Sequence, residues 1–297
     1  MKKTEQPTTD STSLFNLDLY RLRLERAQNT LNDYDFLLKE AGENLADRLK
    51  DIKRDFSHVL EIGYRHPVIY NLLSDHCQSY TRASTIPNID ESECLYHPEF
   101  LPFKDNSFDL VICNLHGHHI NDLPGLLIQA KRLLKNDGLL LMSLFGVETL
   151  TELRQSLAHV SANQYGMLSP RISPLVDIRD AGGLLQRAGF NLPVTDKEMI
   201  TVTYDNAFKL LVDLRGMGET NILSQQSKNI PPKAFFPEVC TYYAHNYSNN
   251  NNKIKATFEI IYLTAWKPDK NQQKPLPRGS AKANLSDALK TTETKIK

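Results

Sequence analysis

Three histidines and an aspartate stand close together in one short segment, His116-Gly117-His118-His119 followed by Asp122. Two imidazoles and a carboxylate can hold a non-haem iron ion of the kind that supports hydroxylation. The spacing is that of a local loop, however, and loops positioned by a rigid scaffold commonly contact substrate. We therefore predict that His118 contacts a substrate or partner, and we expect no metal site.

A second group of polar residues follows an apolar strand, where Glu61 and Gly63 precede Arg65 and Pro67. Glycine allows the positive φ of a sharp turn and lets a ligand approach bare backbone. We expect Gly63 to form such a turn with or without a ligand. For Glu61 two interpretations stay open: a carboxylate that accepts a hydrogen bond from a bound amino group, or a solvated carboxylate at a strand end.

Apolar patterning predicts the elements that position these residues. The run Phe108–Asn114 is apolar and rich in β-branched residues, which predicts a central strand buried on both faces. A helix over 123–134, stopped by Gly138, and a strand over 139–145 follow; such units give parallel sheets with right-handed crossovers. The alternation over 256–266 predicts a long closing strand that runs antiparallel to its neighbours.

Weaker strands are predicted near 79–83, 93–96 and 199–204. The chain is thus predicted to be an α/β protein with four parts: a disordered N-terminus (1–13), N-terminal helices (14–56), a main domain (57–267) with helical insertions (149–188 and 206–247), and a flexible tail (268–297).

Composition limits the possible partners and locations. The 297 residues include 35 basic and 35 acidic side chains, so no net charge attracts nucleic acid or anionic membrane. The four cysteines are scattered, which is typical of a reducing compartment. No apolar run approaches the roughly 18–20 residues of a membrane span, and the N-terminus lacks the features of a secretory signal. We therefore expect a cytoplasmic protein with no nucleic-acid partner and no transmembrane segment.

The segment Phe100–Val111 ends in Phe-Asp-Leu-Val after Leu-Pro-Phe. It resembles a signature of class I S-adenosylmethionine-dependent methyltransferases. The resemblance implies a transferase with a Rossmann-like fold, a mostly parallel sheet whose last strand is antiparallel, and S-adenosyl-L-methionine as cofactor. It places Glu61, Gly63, His97 and Asn114 at the cofactor site, with His97 where the family has an acidic residue facing the adenine.

The segment Asp213–Asn221 contains Arg-Gly-Met-Gly-Glu-Thr-Asn, and residues 277–281 read Pro-Arg-Gly-Ser-Ala. Both resemble the respiratory complex I (NADH dehydrogenase) assembly factors that share the methyltransferase fold, whose mitochondrial member is linked to arginine hydroxylation. The resemblance implies a protein partner, a complex I subunit or assembly intermediate. It also implies a bacterial relative, cytoplasmic or peripheral at the inner membrane. Arg215, Glu219 and Asn221 are predicted to contact that partner; an ordinary helix end is the alternative.

The chain departs from the methyltransferase pattern around the cofactor. Arg65 and Pro67 occupy two positions where the family has glycine, and the segment between Gly63 and Phe100 is short. We predict that Arg65 and Pro67 occlude the cofactor site, so that binding is weak or lost and returning both positions to glycine improves it. Three functions follow: an enzyme acting on a protein substrate, a non-catalytic assembly factor, or a carboxyl O-methyltransferase of the malonyl-carrier-protein type.

Overall fold

The computed structural model describes residues 13–87, 94–165, 171–226, 230–273 and 279–280. Within these ranges the helices α1 to α8 span, in order, Leu17–Gln28, Phe36–Lys50, Val68–Leu73, Leu123–Leu133, Thr151–Tyr165, Ile178–Arg187, Ala207–Gly216 and Phe235–Tyr247. The strands β1 to β7 span His58–Ile62, Ser79–Ser84, Cys94–Leu95, Phe108–Asn114, Leu134–Phe145, Asn191–Tyr204 and Ile254–Trp266. Most of the predicted N-terminal segment 1–13 and most of the tail 268–297 lie outside the described residues.

The described strands form one sheet in the order β3-β2-β1-β4-β5-β7-β6. Strands β1 to β5 pair in parallel, and β7 runs antiparallel to both β5 and β6. The predicted Rossmann-like fold and its antiparallel last strand are therefore confirmed. In such a sheet the loops at the carboxyl ends of the strands are the usual place for a ligand site.

Strand β4 lies at the centre of the sheet and is buried on both faces, as its continuous apolar sequence predicts. Leu110 and Ile112 pack into the core on the α2 side, whereas Val111 and Cys113 pack into the core on the α4 side. All four side chains are at most 1% exposed. This rigid strand carries Asn114 and the histidine segment that follows it.

Several element boundaries differ from the sequence-based predictions. Strand β5 begins at Leu134 rather than at residue 139, because Leu134 pairs with Phe108 across a bulge in the β4–β5 ladder. The positive φ in this region belongs to Asp137 (60°) and not to Gly138. Strand β6 begins at Asn191, not 199. The weak strands near 79–83 and 93–96 are confirmed as β2 and β3.

The N-terminal segment is joined to the segment that follows α7. Phe15 forms an antiparallel bridge with Leu223, and the backbone N–H of Asn16 donates to the carbonyl of Ile222 at 2.8 Å. A small separate core joins these segments; its members are Phe15, Tyr20, Leu24, Ile86, Ile222 and Leu223. Helix α1 is consequently held over the carboxyl ends of the strands. None of the helices in the described ranges combines the length and apolarity that a membrane span requires.

Candidate functional site

Gly63 makes the turn that ends β1, with a positive φ of 74° as predicted. Its bare Cα faces a side chain of the protein: a Cβ built on Gly63 would lie 2.3 Å from Cγ of His116. Any other residue at position 63 would therefore clash with the imidazole as well as strain the backbone. The close approach that glycine permits here is used by His116.

His116 is held in place by two tyrosines. The Tyr20 hydroxyl lies 3.2 Å from Nδ1 and the Tyr96 hydroxyl 3.1 Å from Nε2. Burial lowers the pKa of His116 to about 3, so the ring is neutral at physiological pH and offers one donor and one acceptor. One tyrosine hydroxyl therefore donates to the ring and the other accepts from it, which fixes the imidazole over the Gly63 turn.

Glu61 is not solvated, since its residue is only 3% exposed. The Tyr80 hydroxyl donates to its carboxylate at 2.6 Å. Burial raises the pKa of Glu61 to about 7, although the Tyr80 hydrogen bond acts in the opposite direction. Near neutral pH this carboxyl is therefore charged only part of the time, which weakens it as an acceptor for a cationic amino group.

The raised pKa of Glu61 predicts a specific pH dependence of stability. The folded protein holds the Glu61 proton more tightly than the unfolded chain does. The contribution of this proton to the free energy of unfolding is therefore fully present below pH 4.5 and is lost as the pH rises to about 7. Relative to Glu61→Gln, the free energy of unfolding of the unmodified protein should fall by up to about 3 kcal/mol across this interval. Denaturant unfolding at a series of pH values measures it, with the exposed Glu43→Gln as control; parallel curves for the unmodified protein and Glu61→Gln would contradict it.

Asn114 and His97, the other two residues predicted to bind the cofactor, lie in different environments. The Asn114 amide is buried and committed to the protein: Nδ2 donates to the Leu38 carbonyl at 2.9 Å and Oδ1 accepts from Ser143 Oγ at 2.8 Å. His97 is exposed, and its Nδ1 accepts from the backbone N–H of Glu99 at 3.3 Å. The structure thus brings Glu61, Gly63 and Asn114 together at the ends of β1 and β4.

Arg65 and Pro67 do not occupy the places that the sequence suggested. The Arg65 side chain is buried and turns toward α7, where Nη2 donates to Glu219 Oε1 at 2.9 Å and Nη1 donates to the Met217 carbonyl at 3.0 Å. Pro67 precedes α3 as its N-cap residue. The side chain that covers the Gly63 turn belongs to His116, because Arg65 gains more from a buried carboxylate than from an apolar pocket.

Glu219 joins the histidine segment to the 217–221 loop. Its Oε2 atom lies 3.2 Å from His118 Nε2 and 3.5 Å from His119 Nε2, while Oε1 accepts from Arg65. Burial alone would raise the pKa of Glu219, but His119, His118 and Arg65 outweigh it and hold that pKa well below its ordinary value. The cluster therefore contains an ionised carboxylate that is paired with the Arg65 guanidinium.

A cavity of about 270 Å³ borders this cluster, with His118, His119 and Glu219 among its lining residues. The remainder of the lining is mainly apolar and comes from α5, α7, α8 and β7; its members include Leu153, Leu157, Leu211, Leu214, Phe236, Val239 and Phe258. Arg171 and Arg215 also line the cavity. A charged and polar group at one end of an apolar cavity is a common form of binding site.

The predicted partner residues separate into buried and exposed members. Glu219 lies in the interior, with its side chain 8% exposed. Arg215 is exposed near the end of α7. Asn221 accepts from the Leu223 backbone N–H at 3.0 Å, which orders the loop beside the N-terminal segment. A partner at the surface could thus reach Arg215 directly, and Glu219 only through the cavity.

A family model described as a methyltransferase domain matches residues 35–193. The chain belongs to the methyltransferase family. Among its relatives are two proteins named "Arginine-hydroxylase NDUFAF5, mitochondrial". The one from Danio rerio is 35% identical over 296 residues, covering 94% of this chain and 90% of the relative. The one from Homo sapiens is 36% identical over 287 residues, covering 93% and 83%.

Other methyltransferase relatives match less of the chain. A malonyl-[acyl-carrier protein] O-methyltransferase from Xylella fastidiosa is 36% identical over 168 residues, covering 57% of this chain and 55% of the relative. Among solved structures, the YcgJ protein from Bacillus subtilis aligns with a TM-score of 0.52 at 17% identity, over 76% of this chain and 99% of that one. At this identity the structural likeness shows the fold alone.

Two features of the site were not predicted from the sequence. Asp122, the carboxylate nearest to the histidines in sequence, caps α4 by accepting from the Gly125 N–H at 2.8 Å; Glu219 meets the histidines in its place. Tyr20 and Tyr96 were also missed as the partners of His116. Nothing local marks any of these three residues, since each acts across a long stretch of chain.

Proposed function

We propose that this protein modifies a protein substrate during assembly of respiratory complex I, by arginine hydroxylation of the kind named for its relatives. The supporting observation is the extent of the match: identity with the arginine-hydroxylases covers 93–97% of the chain, whereas the malonyl-carrier-protein methyltransferases cover 57%. We infer that the protein acts in the bacterial cytoplasm or at the periphery of the inner membrane.

The cavity beside Glu219 is consistent with an arginine side chain as substrate. An arginine has an apolar stem that suits an apolar wall and a guanidinium that pairs with carboxylates. A complex I subunit would present such a side chain on an exposed segment.

The most direct test is co-expression with a candidate complex I subunit, followed by peptide mass spectrometry of that subunit. Hydroxylation that uses O₂ and two electrons from a reductant of the host cell adds one oxygen atom to an arginine-containing peptide and releases the second oxygen atom as water, whereas methyl transfer adds one CH₂ unit. We expect the oxygen. A CH₂ increase would support methyl transfer instead, and an unmodified subunit that is still captured would support the second candidate function.

That second candidate is an assembly factor without cofactor chemistry. It is favoured by the state of the S-adenosyl-L-methionine site: His116 covers Gly63, Asn114 is bonded on both sides of its amide, and Glu61 is partly protonated near neutral pH. These residues fit the cofactor poorly as they stand. We propose that S-adenosyl-L-methionine binds weakly or not at all.

Removing the side chain that covers the Gly63 turn should therefore restore part of the affinity for S-adenosyl-L-methionine. In His116→Ala the imidazole is absent, and we expect S-adenosyl-L-methionine to bind at least about tenfold more tightly than to the unmodified protein, a gain of about 1.4 kcal/mol. Calorimetric titration measures the affinity of the unmodified protein and that of His116→Ala. Pro67→Gly serves as the comparison and should bring no gain, because Pro67 precedes α3 and does not cover the turn. Micromolar binding by the unmodified protein would contradict the proposal.

Partner capture should depend on the exposed part of the loop. We expect Arg215→Ala to weaken recovery of complex I intermediates in a pull-down, since an exposed arginine at an interface loses both charge and contact area. Arg179→Ala, an exposed arginine on α6, is the matched control and should leave recovery unchanged. Equal recovery by both variants would place the docking surface elsewhere.

A further inference from the structure

We propose that His118, His119 and Glu219 bind a divalent first-row transition metal ion. The two imidazole Nε2 atoms and one carboxylate oxygen come together in the interior beside the cavity, and the three ligand atoms lie within 4.8 Å of one another. The sequence analysis predicted no metal because the spacing of the histidines and Asp122 is that of a local loop. The fold supplies Glu219 in its place, and so provides the ligand set that the histidines lacked.

Two of the three separations between the ligand atoms match those of a coordination sphere. Glu219 Oε2 lies 3.2 Å from Nε2 of His118 and 3.5 Å from Nε2 of His119. With bonds of about 2.0–2.2 Å, neighbouring ligands of a tetrahedral or octahedral ion lie roughly 3–3.5 Å apart. The ligand atoms of the two histidines lie within 4.8 Å of each other, and a bound ion would draw the two rings together.

Both imidazoles are directed at the same carboxylate. Nδ1 of His118 and Nδ1 of His119 are buried without a hydrogen-bond partner among the described residues, so neither ring has the hydrogen bond that commonly orients a metal-bound imidazole, and an ion at Nε2 would leave these two atoms unchanged. Two imidazoles directed at a single carboxylate oxygen are also an unusual use of buried polar groups. A shared ion explains why both rings face Glu219.

The surroundings suit an ion with open coordination positions. Three protein ligands leave at least one position free, as in catalytic rather than structural metal sites, and the cluster borders the apolar cavity. Two histidines and one carboxylate are ligands that suit Fe²⁺, Mn²⁺, Co²⁺ and Zn²⁺. Water or a substrate group in the cavity would complete the coordination.

Arg65 acts on this site as a positioning residue. Its guanidinium occupies Oε1 of Glu219 and leaves Oε2 directed at the two histidines. That arrangement restricts the carboxylate to one bond with the ion. The positive charge of Arg65 also opposes the charge of the ion, so we expect weaker binding than at a site of the same ligands without an arginine.

The test is anaerobic titration of the full chain with Co²⁺, followed by visible absorption, which reports cobalt geometry, and by calorimetry. We expect one equivalent to bind with the bands of a nitrogen- and oxygen-ligated ion, and to raise the unfolding temperature. His119→Ala and Glu219→Gln should each lower the affinity at least tenfold. Glu219→Gln keeps the shape of the side chain and an acceptor for Arg65, so it is the variant most expected to fold.

His245→Ala removes an exposed histidine on α8 and should bind Co²⁺ as the unmodified protein does. Two results would overturn the proposal: folded unmodified protein that takes up no Co²⁺, or equal uptake by Glu219→Gln. The inference extends the proposed function without needing it, because the titration involves no substrate. Loss of metal binding and absence of arginine hydroxylation are separate readouts and can fail independently.

Discussion

Glu219→Ala is expected to destabilise the protein by about 3–5 kcal/mol, because it leaves the Arg65 guanidinium buried without a counter-charge. The side chains of the pair are only 6% and 8% exposed. The same substitution also removes the carboxylate that the rings of His118 and His119 face. Urea unfolding monitored by circular dichroism gives the free-energy difference.

An exposed pair provides the matched control for this substitution. Arg21 and Glu25 form an ion pair at 2.9 Å on α1, with side chains 51% and 35% exposed. Glu25→Ala should cost below about 1 kcal/mol, since solvent and salt screen such pairs. Similar losses for Glu219→Ala and Glu25→Ala would mean that the interior pair is solvated.

Ile112→Ala is expected to cost about 2–5 kcal/mol, the range for deleting a buried aliphatic side chain and leaving a cavity. Ile112 is fully buried at the centre of the sheet, between β1 and β5. The neighbouring strands restrict collapse around the vacated space. Equilibrium unfolding in denaturant measures the loss.

Ile128 is the control for this truncation, because the same side chain on α4 is 53% exposed. Ile128→Ala removes the same atoms and should change the unfolding free energy by less than about 1 kcal/mol. A loss for Ile112→Ala as small as this would place β4 outside the stable core.

The fold was predictable from the sequence because its central strand carries an unbroken apolar signal. Phe108–Asn114 could only be a strand buried on both faces, and the alternation of β7 marked a strand that closes the sheet. The strands at or next to the edges of the sheet were harder to place. Strand β2 reads Ser-Tyr-Thr-Arg-Ala-Ser and β6 contains Pro193 and charged residues, which is acceptable near a sheet edge but leaves little periodicity.

The site was less predictable than the fold, because its contacts join distant parts of the chain. Gly63 was correctly placed from its residue type alone, since a strand-to-turn junction requires its conformation. The pair of Arg65 with Glu219 spans 154 positions, and no local pattern can indicate a contact of that kind. The same limit applies to His116, whose two tyrosine partners lie 96 and 20 positions away.

The bridge between Phe15 and Leu223 has a consequence for synthesis on the ribosome. The apolar face of α1, with Tyr20 and Leu24, completes its core only when Ile222 and Leu223 have emerged. At roughly 5–20 residues per second, translation of the intervening chain takes on the order of 10–40 s. During that interval the apolar face of the first helix lacks part of its native core and is available to chaperones. In any product that stops before residue 222, α1 lacks the contacts of Ile222 and Leu223 that help to hold Tyr20 beside His116.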